Sequence, residues 1–319
     1  MSDNPDEDLW RKHIVPLTGM SRDGMPLSEN RAPSPDLEPW VARLVSAKMT
    51  NDPNAHVACG MCNDLLYTRV IFNGRWTAMT ADGHDSFEHE VLQFGQQSKF
   101  MPLSCTGDIM SAGFGLRAGA FHALTGRSAH ELTDRIERTD IFGVLADDIK
   151  DVFSDEYSPE DWNHALEEAL RRYIDRHDPA PPNPVTSAFE LAAFADPTQP
   201  LGDFAEQHNI SLRQLERLVK RDFGLTPRTV MRRARALDMA ALICGVADES
   251  EEEEILLRYF DQSHLIREFA SFFGVTPEKF RARPRPLITL TLEQRQARRL
   301  EELDRLKPGE KRPWFRSDY

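Results

Sequence analysis

The chain has 319 residues, of which 40% are hydrophobic and 29% are charged. This length accommodates two ordinary domains, and the composition is typical of globular proteins and excludes disordered or fibrous chains. No apolar run reaches membrane length and the acidic N-terminus lacks a secretory pattern, so we expect a cytoplasmic protein without membrane contact. Four cysteines are too few for a disulfide scaffold, and we expect them to be thiols.

The formal net charge of −13 is divided unevenly along the chain. Residues 1–179 hold 17 basic and 30 acidic side chains, whereas residues 180–319 hold 22 of each. Within the second part, residues 211–245 hold eight basic and three acidic side chains, a local charge of +5. The acidic part is therefore excluded as a nucleic-acid-binding surface, and residues 211–245 are the candidate for one.

The N-terminal part is predicted to be an extended arm followed by β-strands. Residues 1–38 carry Pro, Asp and Ser without apolar periodicity. Residues 65–72 and 75–80 then read as two strands around Asn73-Gly74, a strong signal for a two-residue hairpin. Further short strands are predicted for VLQFG, KFMPLSC and DIMSAGFGL.

Two helices are predicted after these strands. The segment at residues 117–126 is short, whereas residues 158–174 begin with a Ser158 cap and Pro159 and continue as one apolar stripe. The stripe comprises Trp162, Ala165, Leu166, Ala169, Leu170, Tyr173 and Ile174. We expect it to pack on its own domain, with a dimer interface as the alternative. Residues 178–184 contain four prolines and are interpreted as an inter-domain linker.

Two clusters have metal-binding residue types: His56, Cys59 and Cys62, and His84, Glu88 and His89. The first contains a CxxC pair, which suits zinc or a dithiol, but no second pair follows. The second is compatible with a cupin-type site, although its polar surroundings are more typical of a solvated loop. We therefore predict no metal, no cofactor and no catalytic residue. A metal- or thiol-dependent N-terminal module is the alternative.

A capped amphipathic helix is predicted from Ser211 onward. Its apolar stripe comprises Leu212, Leu215, Leu218, Val219 and Phe223. Its opposite face carries long polar side chains, namely Arg213, Glu216, Arg217 and Lys220. Ser211 and Gln214 have the spacing of a capping box, and Gly224 is a natural left-handed stop. Thr226 and Pro227 then predict the start of another helix.

A shift of fifty positions superimposes this helix on a second copy. The matched pairs are Leu215 with Leu265, Arg217 with Arg267, Phe223 with Phe273, Gly224 with Gly274, Thr226 with Thr276 and Pro227 with Pro277. A short helical segment precedes each copy, at residues 201–208 and at about 250–257, and Asn209 occupies the first turn. The repeat therefore predicts two helix-turn-helix units in tandem.

The segments LRQLERLVKRDFGLTPRTVMRRARALDMAALI and YFDQSHLIREFASFFGVTPEKFR resemble the two halves of the AraC/XylS-type DNA-binding domain. The resemblance covers residues 185–283 and implies two recognition helices in successive major-groove segments of double-stranded DNA. A linker helix at about residues 227–244 joins them. Residues 95–134 also resemble the β-rich regulatory domain that precedes this DNA-binding domain in one subgroup.

The resemblance also implies which side chains face the bases. By position they are Arg213, Glu216 and Arg217 in the first unit, with Lys220 on the same face, and Gln262, Ser263, Ile266 and Arg267 in the second. Their chemistry agrees, because arginine forms a bidentate pair with guanine, glutamine pairs with adenine, and glutamate accepts from cytosine.

Two features depart from the family pattern. Glu254 stands where the family has a small residue, and Arg258 replaces a turn glycine. The acidic run at residues 248–254 would also repel phosphate, so we expect weaker docking of the second unit. Beyond the usual end of the family, Leu292, Leu300, Leu303 and Leu306 predict one more amphipathic helix. A basic tail follows it, and this extension packs on the domain or touches DNA.

The predicted fold is an α+β, β-rich N-terminal regulatory domain, for which a barrel is one arrangement, followed by an all-α tandem helix-turn-helix domain. The predicted boundaries are an arm at 1–38, the β-rich domain at 39–177, the linker at 178–184, the DNA-binding domain at 185–284 and a C-terminal extension at 285–319. The predicted function is sequence-specific transcription regulation, without enzymatic activity. The expected partners are double-stranded DNA, RNA polymerase, a second copy in a homodimer and a small-molecule effector.

Overall fold

The computed structural model describes residues 28–49, 56–247, 251, 255–256, 262–282 and 286–305. Several predictions from the sequence lie outside these residues. They concern the arm up to residue 27, the departures from the family pattern at Glu254 and Arg258, the side chains of Cys59 and Gln262, and the basic tail with Leu306. We call residues 28–177 the β region and residues 184–305 the helical region.

The β region is built on one antiparallel sheet, which contains eight strands among the described residues. The strands are β1 Ser28–Arg31, β2 Val41–Met49, β3 His56–Met61, β4 Leu66–Thr80, β5 Gly83–Phe87, β6 Glu90–Phe94, β7 Met101–Leu116 and β8 Ile136–Arg138. Their order across the sheet is β1-β2-β7-β4-β6-β8, while β3 also pairs with β7 and β5 with β4. The path has two ends within the described part of the chain, so this sheet is open and the barrel arrangement is wrong.

The hairpin predicted at Asn73-Gly74 is wrong. Strand β4 runs through both residues and stays paired with β7, with register shifts on either side of Asn73. Gly74 has φ of +84° and approaches Asp108 so closely that a Cβ would lie 2.4 Å from its carbonyl oxygen. A left-handed glycine serves a β-bulge as well as a turn, and here it bends a continuous strand.

Two further strand predictions are corrected. KFMPLSC and DIMSAGFGL are predicted as separate strands, but one strand, β7, runs from Met101 in the first segment through the whole of the second, with Gly107 at φ +80° between them. The polar segment expected as a solvated loop contains β5, which pairs with the end of β4. Strand β6 and the short helix α1, Ala120–Thr125, confirm their predictions.

One face of the sheet is covered by α2, Pro159–His177, whose Ser158 and Asp161 form the N-terminal capping box. Its apolar stripe lies in the core with strand residues such as Leu44 and Phe114. Trp162 is fully buried, and its ring packs edge-on against Phe72 at 4.7 Å between centroids. The stripe therefore packs on its own domain, as expected from its sequence.

The helical region begins at the last proline of the segment interpreted as a linker. Its first four helices are α3 Pro184–Ala195, α4 Leu201–Gln207, α5 Leu212–Phe223 and α6 Pro227–Ile243. Between α4 and α5, Asn209 has φ of +53°, which confirms the left-handed turn. Phe189, Phe204, Leu215 and Phe223 form the centre of this first unit.

The second unit contains α7, Gln262–Phe273, and α8, Pro277–Arg281, with Gly274 at φ +69° and Thr276 as the cap of α8. The last helix is α9, Pro286–Glu302. Leu287 of α9 reaches the second face of the sheet, while Ile288 and Leu292 pack with α6 and α7. Residues 292–300 are all buried, so the polar side chains of α9 are covered as well as its apolar ones, and the helix lies between the β region and the second unit.

No helix in the described part of the chain is long and apolar enough to cross a membrane.

Candidate nucleic-acid interface

Helix α5 is fixed at both ends by the residues that the sequence indicated. The Ser211 backbone N–H donates to Gln214 Oε1 at 2.8 Å, and the Gln214 backbone N–H donates to Ser211 Oγ at 3.2 Å. Gly224 ends the helix at φ +69°. These caps satisfy backbone groups that a free helix end leaves unpaired, so the orientation of the helix is set by its own sequence.

One face of α5 is buried. Leu215 and Val219 are fully buried, Phe223 is 3% exposed and Leu218 is half-buried. Leu212 was expected on the same stripe, but 52% of its surface is exposed. It is the first residue of the helix, so the buried part of the stripe begins at Leu215.

The opposite face of α5 is exposed at Arg213, Glu216, Arg217 and Lys220. Within the described residues, none of these four side chains has a hydrogen bond or an ion pair. Three basic side chains and one acidic side chain therefore lie at helical spacing on a fixed helix. They are available to bind a partner outside the chain. The structure brings these four predicted residues together on one surface.

The exposed face of α7 carries fewer charged side chains than the exposed face of α5. Ser263 and Arg267 are exposed and Ile266 is 37% exposed, while Phe269, Phe272 and Phe273 are buried on the other side. Arg267 lies here where Arg217 lies in α5. The two units therefore share a buried aromatic face and an exposed polar face.

Two family models match the chain. The model described as a helix-turn-helix domain matches residues 204–283, and a domain of unknown function, DUF6597, matches residues 29–138. The first match runs from the middle of α4 past the end of α8 and contains both copies of the repeat. The C-terminal part of the chain therefore contains a helix-turn-helix domain of the AraC type. This domain follows a β-rich region.

No curated protein matches the chain in sequence. Among solved structures, a variant of ToxT from Vibrio cholerae in its apo form is 10% identical, with 75% of this chain and 97% of that chain covered and a TM-score of 0.45. ToxT bound to (E)-4-(8-methylnaphthalen-1-yl)but-3-enoic acid is also 10% identical, with 78% and 99% covered and a TM-score of 0.43. The AraC-like activator CuxR is 12% identical, with 66% and 86% covered and a TM-score of 0.28. These values are too low to transfer a function.

The acidic run does not present all its charges to solvent. Glu251 is 2% exposed, and it pairs with Arg299 and accepts a hydrogen bond from Gln296 Nε2 at 2.5 Å. From the sequence, this carboxylate is expected to repel DNA phosphates together with the rest of the acidic run. The structure corrects that expectation, because the Glu251 carboxylate is paired with Arg299 inside the helical region.

The candidate metal ligands do not converge. Within the described residues, no group of three histidine, cysteine or acidic side chains is placed to hold an ion. Cys62 is buried in the helical core, where burial raises the pKa of its thiol to about 12. His56 contacts Thr106, and Glu88 pairs with Arg75 at the surface. Cys62 thus behaves as a small apolar side chain at the junction of the two regions.

A cluster of buried ion pairs between the two regions was not predicted. Asp64, which follows β3, pairs with Arg295 at 3.1 Å and Arg298 at 3.2 Å. Burial would raise the pKa of Asp64, but these arginines and Arg233 outweigh it and hold that pKa below its usual value. Arg298 also pairs with Glu190 of α3 at 3.1 Å. The arginines of α9 therefore pair with acidic groups of the same chain.

A second contact between the regions involves the end of α5. A 3-10 helix at Ala129–Leu132 lies against it. His130 Nδ1 donates to the carbonyl oxygen of Gly224 at 2.9 Å, and Thr133 Oγ1 donates to the same oxygen at 3.1 Å. Ser128 Oγ donates to the Arg221 carbonyl at 3.3 Å. The β region thus supplies partners for carbonyls that a helix C-terminus leaves unpaired.

Proposed function

We propose that the protein binds DNA in a sequence-specific manner and regulates transcription, with the exposed face of α5 as its principal reading surface. The observation that carries this proposal is the set Arg213, Glu216, Arg217 and Lys220, exposed on a capped helix without partners among the described residues. A helix of this diameter fits the major groove of B-DNA. The chain acts as a regulator in the cytoplasm in this proposal, and not as an enzyme.

Each side chain has a distinct role. Arg213 and Arg217 offer guanidinium forks for guanine O6 and N7, Glu216 accepts from cytosine N4, and Lys220 contacts phosphate. In the second unit we assign base contacts to Ser263, Ile266 and Arg267, together with Gln262 from the resemblance alone. Since α7 exposes fewer charged groups than α5, we expect the first unit to contribute more of the affinity.

Replacement of Arg213 or Arg217 by alanine tests this assignment. Both are exposed on the face away from the core, so the variants should fold like the parent and lose about 1–3 kcal/mol of base discrimination each. The measurement is binding to a library of randomised DNA sites, with circular dichroism as the check on folding. An equal substitution of Arg176, exposed on α2, is the matched control. Unchanged sequence preference in both variants would refute the assignment.

We further propose that the β region controls α5 through the contacts of His130 and Thr133 with Gly224. Gln96 of the β region adds a hydrogen bond from Nε2 to the Asp222 carbonyl at 3.4 Å. Because these groups hold the last turn of the recognition helix, a shift in the β region reorients that helix. The control signal then needs no direct contact with DNA.

An anionic small molecule is the effector that the β region favours. Arg69 of β4 is 9% exposed and its Nε is buried without a hydrogen-bond partner, and within the described residues its side chain makes no ion pair. Its guanidinium lies 5.8 Å from the ring centroid of Tyr67 and 5.7 Å from that of Phe94, and burial lowers its pKa. A buried charge without a counter-ion is costly, so a carboxylate or phosphate bound here would relieve that cost.

Dimerisation and contact with RNA polymerase are proposals that rest on the family resemblance. The apolar stripe of α2, which was the candidate dimer surface, packs on its own sheet. A homodimer would therefore use a different surface.

A further inference from the structure

A cleft of about 580 Å³ lies between the two helix-turn-helix units. One wall comes from the start of α4 and the first half of α6, and the other comes from α7. The charged side chains that line it are Arg228, Arg232, Arg235, Arg267 and Glu268, and His264 lies beside them. Four arginines thus face one carboxylate, and the cleft carries a net positive charge.

Two of these arginines are engaged with the carboxylate. Arg235 donates to both oxygens of Glu268 at 2.8 Å, and Arg232 Nε donates to Oε2 at 3.0 Å. Burial would raise the pKa of Glu268, but the hydrogen bonds and charges of Arg235 and Arg232 outweigh it and lower that pKa. Arg235 also donates from NH1 to the Pro197 carbonyl at 2.9 Å. This network ties α6 to α7 and fixes the width of the cleft.

The remaining cations have no such partner. Arg228, the second residue of α6, and Arg267 of α7 are exposed and line the cleft from opposite sides. Within the described residues, neither makes a hydrogen bond or an ion pair. Their charges are therefore available to an anion that enters between the two units.

We propose that this cleft binds a phosphodiester group of the DNA backbone, and that Arg228 is the residue that contacts it. The inference rests on the proposed function, since it adds a backbone contact between the two recognition helices. The fork of a guanidinium group matches two phosphate oxygens, and a fixed, positively charged wall orients it. Arg267 retains its base contact in this arrangement, and its charge adds to the field in the cleft.

The test is the salt dependence of DNA binding for Arg228→Gln. One lost phosphate contact lowers the slope of log K against log salt by about 0.9 and weakens binding to selected and random DNA alike. Arg228→Lys should keep the slope, because a lysine still neutralises the phosphate. Arg176→Gln, which removes an exposed charge from α2, should match the parent. If the parent and Arg228→Gln bind DNA with the same salt slope, the proposal is wrong. A change in the sequence preference of Arg228→Gln would also overturn it.

A second arm separates this inference from the proposed function. Inorganic phosphate is titrated against the parent and Arg228→Gln without DNA, and the melting temperature is recorded. If the parent binds no DNA, the proposed function fails and the DNA-backbone site fails with it. In that case, if phosphate raises the melting temperature of the parent but not that of Arg228→Gln, the cleft binds a free phosphate compound. If DNA binding and the slope change are both seen, the cleft is a backbone site whatever the free anion does.

Discussion

At the residue scale, Arg69 is a buried cation without an acidic partner among the described residues, and we propose that an anionic ligand pairs with it. We expect Arg69→Met to melt at or above the temperature of the unliganded parent, because the substitution removes an unpaired buried charge and keeps an apolar stem. A set of small carboxylates and phosphate esters should contain compounds that stabilise the parent and leave Arg69→Met unchanged. Arg75→Gln is the control, since Arg75 is exposed and paired with Glu88. A destabilised Arg69→Met together with no anion response would contradict the effector site.

The roles that could be predicted from the sequence are those that depend on a residue's immediate neighbours in the chain. Ser211, Gly224 and Thr226 act as caps and stops because a helix end needs only local partners. The buried arginines could not be found in this way, because Arg298 meets Asp64 across 234 positions of the chain. Basic side chains at helical spacing in α9 indicate a polar face, and only the packed structure shows that acidic groups surround them.

At the scale of elements, the end of α5 differs from the end of α7 although their sequences match. Gly224 and Gly274 both have φ of +69°, so alanine at either position costs about 1–2 kcal/mol of backbone strain. A Cβ at Gly224 would also lie 2.5 Å from Thr133 Oγ1, whereas at Gly274 it meets nothing within 4 Å. We expect Gly224→Ala to speed hydrogen exchange in residues 128–133 and to alter DNA affinity. Gly274→Ala should leave that exchange unchanged, and equal exchange in both variants would refute the control contact.

The strands show why a strong local signal can fail. Asn73-Gly74 satisfies the requirements of a hairpin, but the same backbone conformation fits a bulge in β4. The choice depends on β7, whose pairing continues on both sides of the bulge and holds β4 extended. Helices α2 and α5 were predicted well because their apolar stripes and caps are contained within each segment. For α6, Thr226 and Pro227 predicted the start, and the family resemblance implied its length.

At the scale of the whole molecule, Asp64 joins the β region to α9. We expect Asp64→Asn to destabilise the protein by about 3–5 kcal/mol, because it leaves the buried guanidinium groups of Arg295 and Arg298 short of a counter-ion. The pKa of Asp64 is lowered in the folded protein, so its contribution is complete above the ordinary value of 3.8 and is lost as the pH falls below it. Denaturant titration at pH 7 and below pH 3.8 measures both effects. Glu88→Gln, at an exposed pair, should leave the stability unchanged, and an equal loss in both variants would contradict this account.

The arrangement of the two regions was the least predictable property. Composition and charge indicated an acidic part and a part with a basic patch, and the prolines at residues 178–184 indicated a linker between two domains. The structure instead packs the regions through Asp64, Arg233 and the contacts at Gly224. None of these contacts has a local sequence signature, because each depends on groups that only the folded chain brings together.

Selection of DNA sites from a randomised library by the full-length protein tests the central claim most directly. Two helix-turn-helix units that read successive major-groove segments should enrich two short sequence blocks about one helical turn, or roughly 10–10.5 base pairs, apart. The block read by α5 should be the more strongly constrained, because α5 exposes more charged groups than α7. Enrichment of no sequence above the starting library would contradict the proposal that this chain is a sequence-specific regulator.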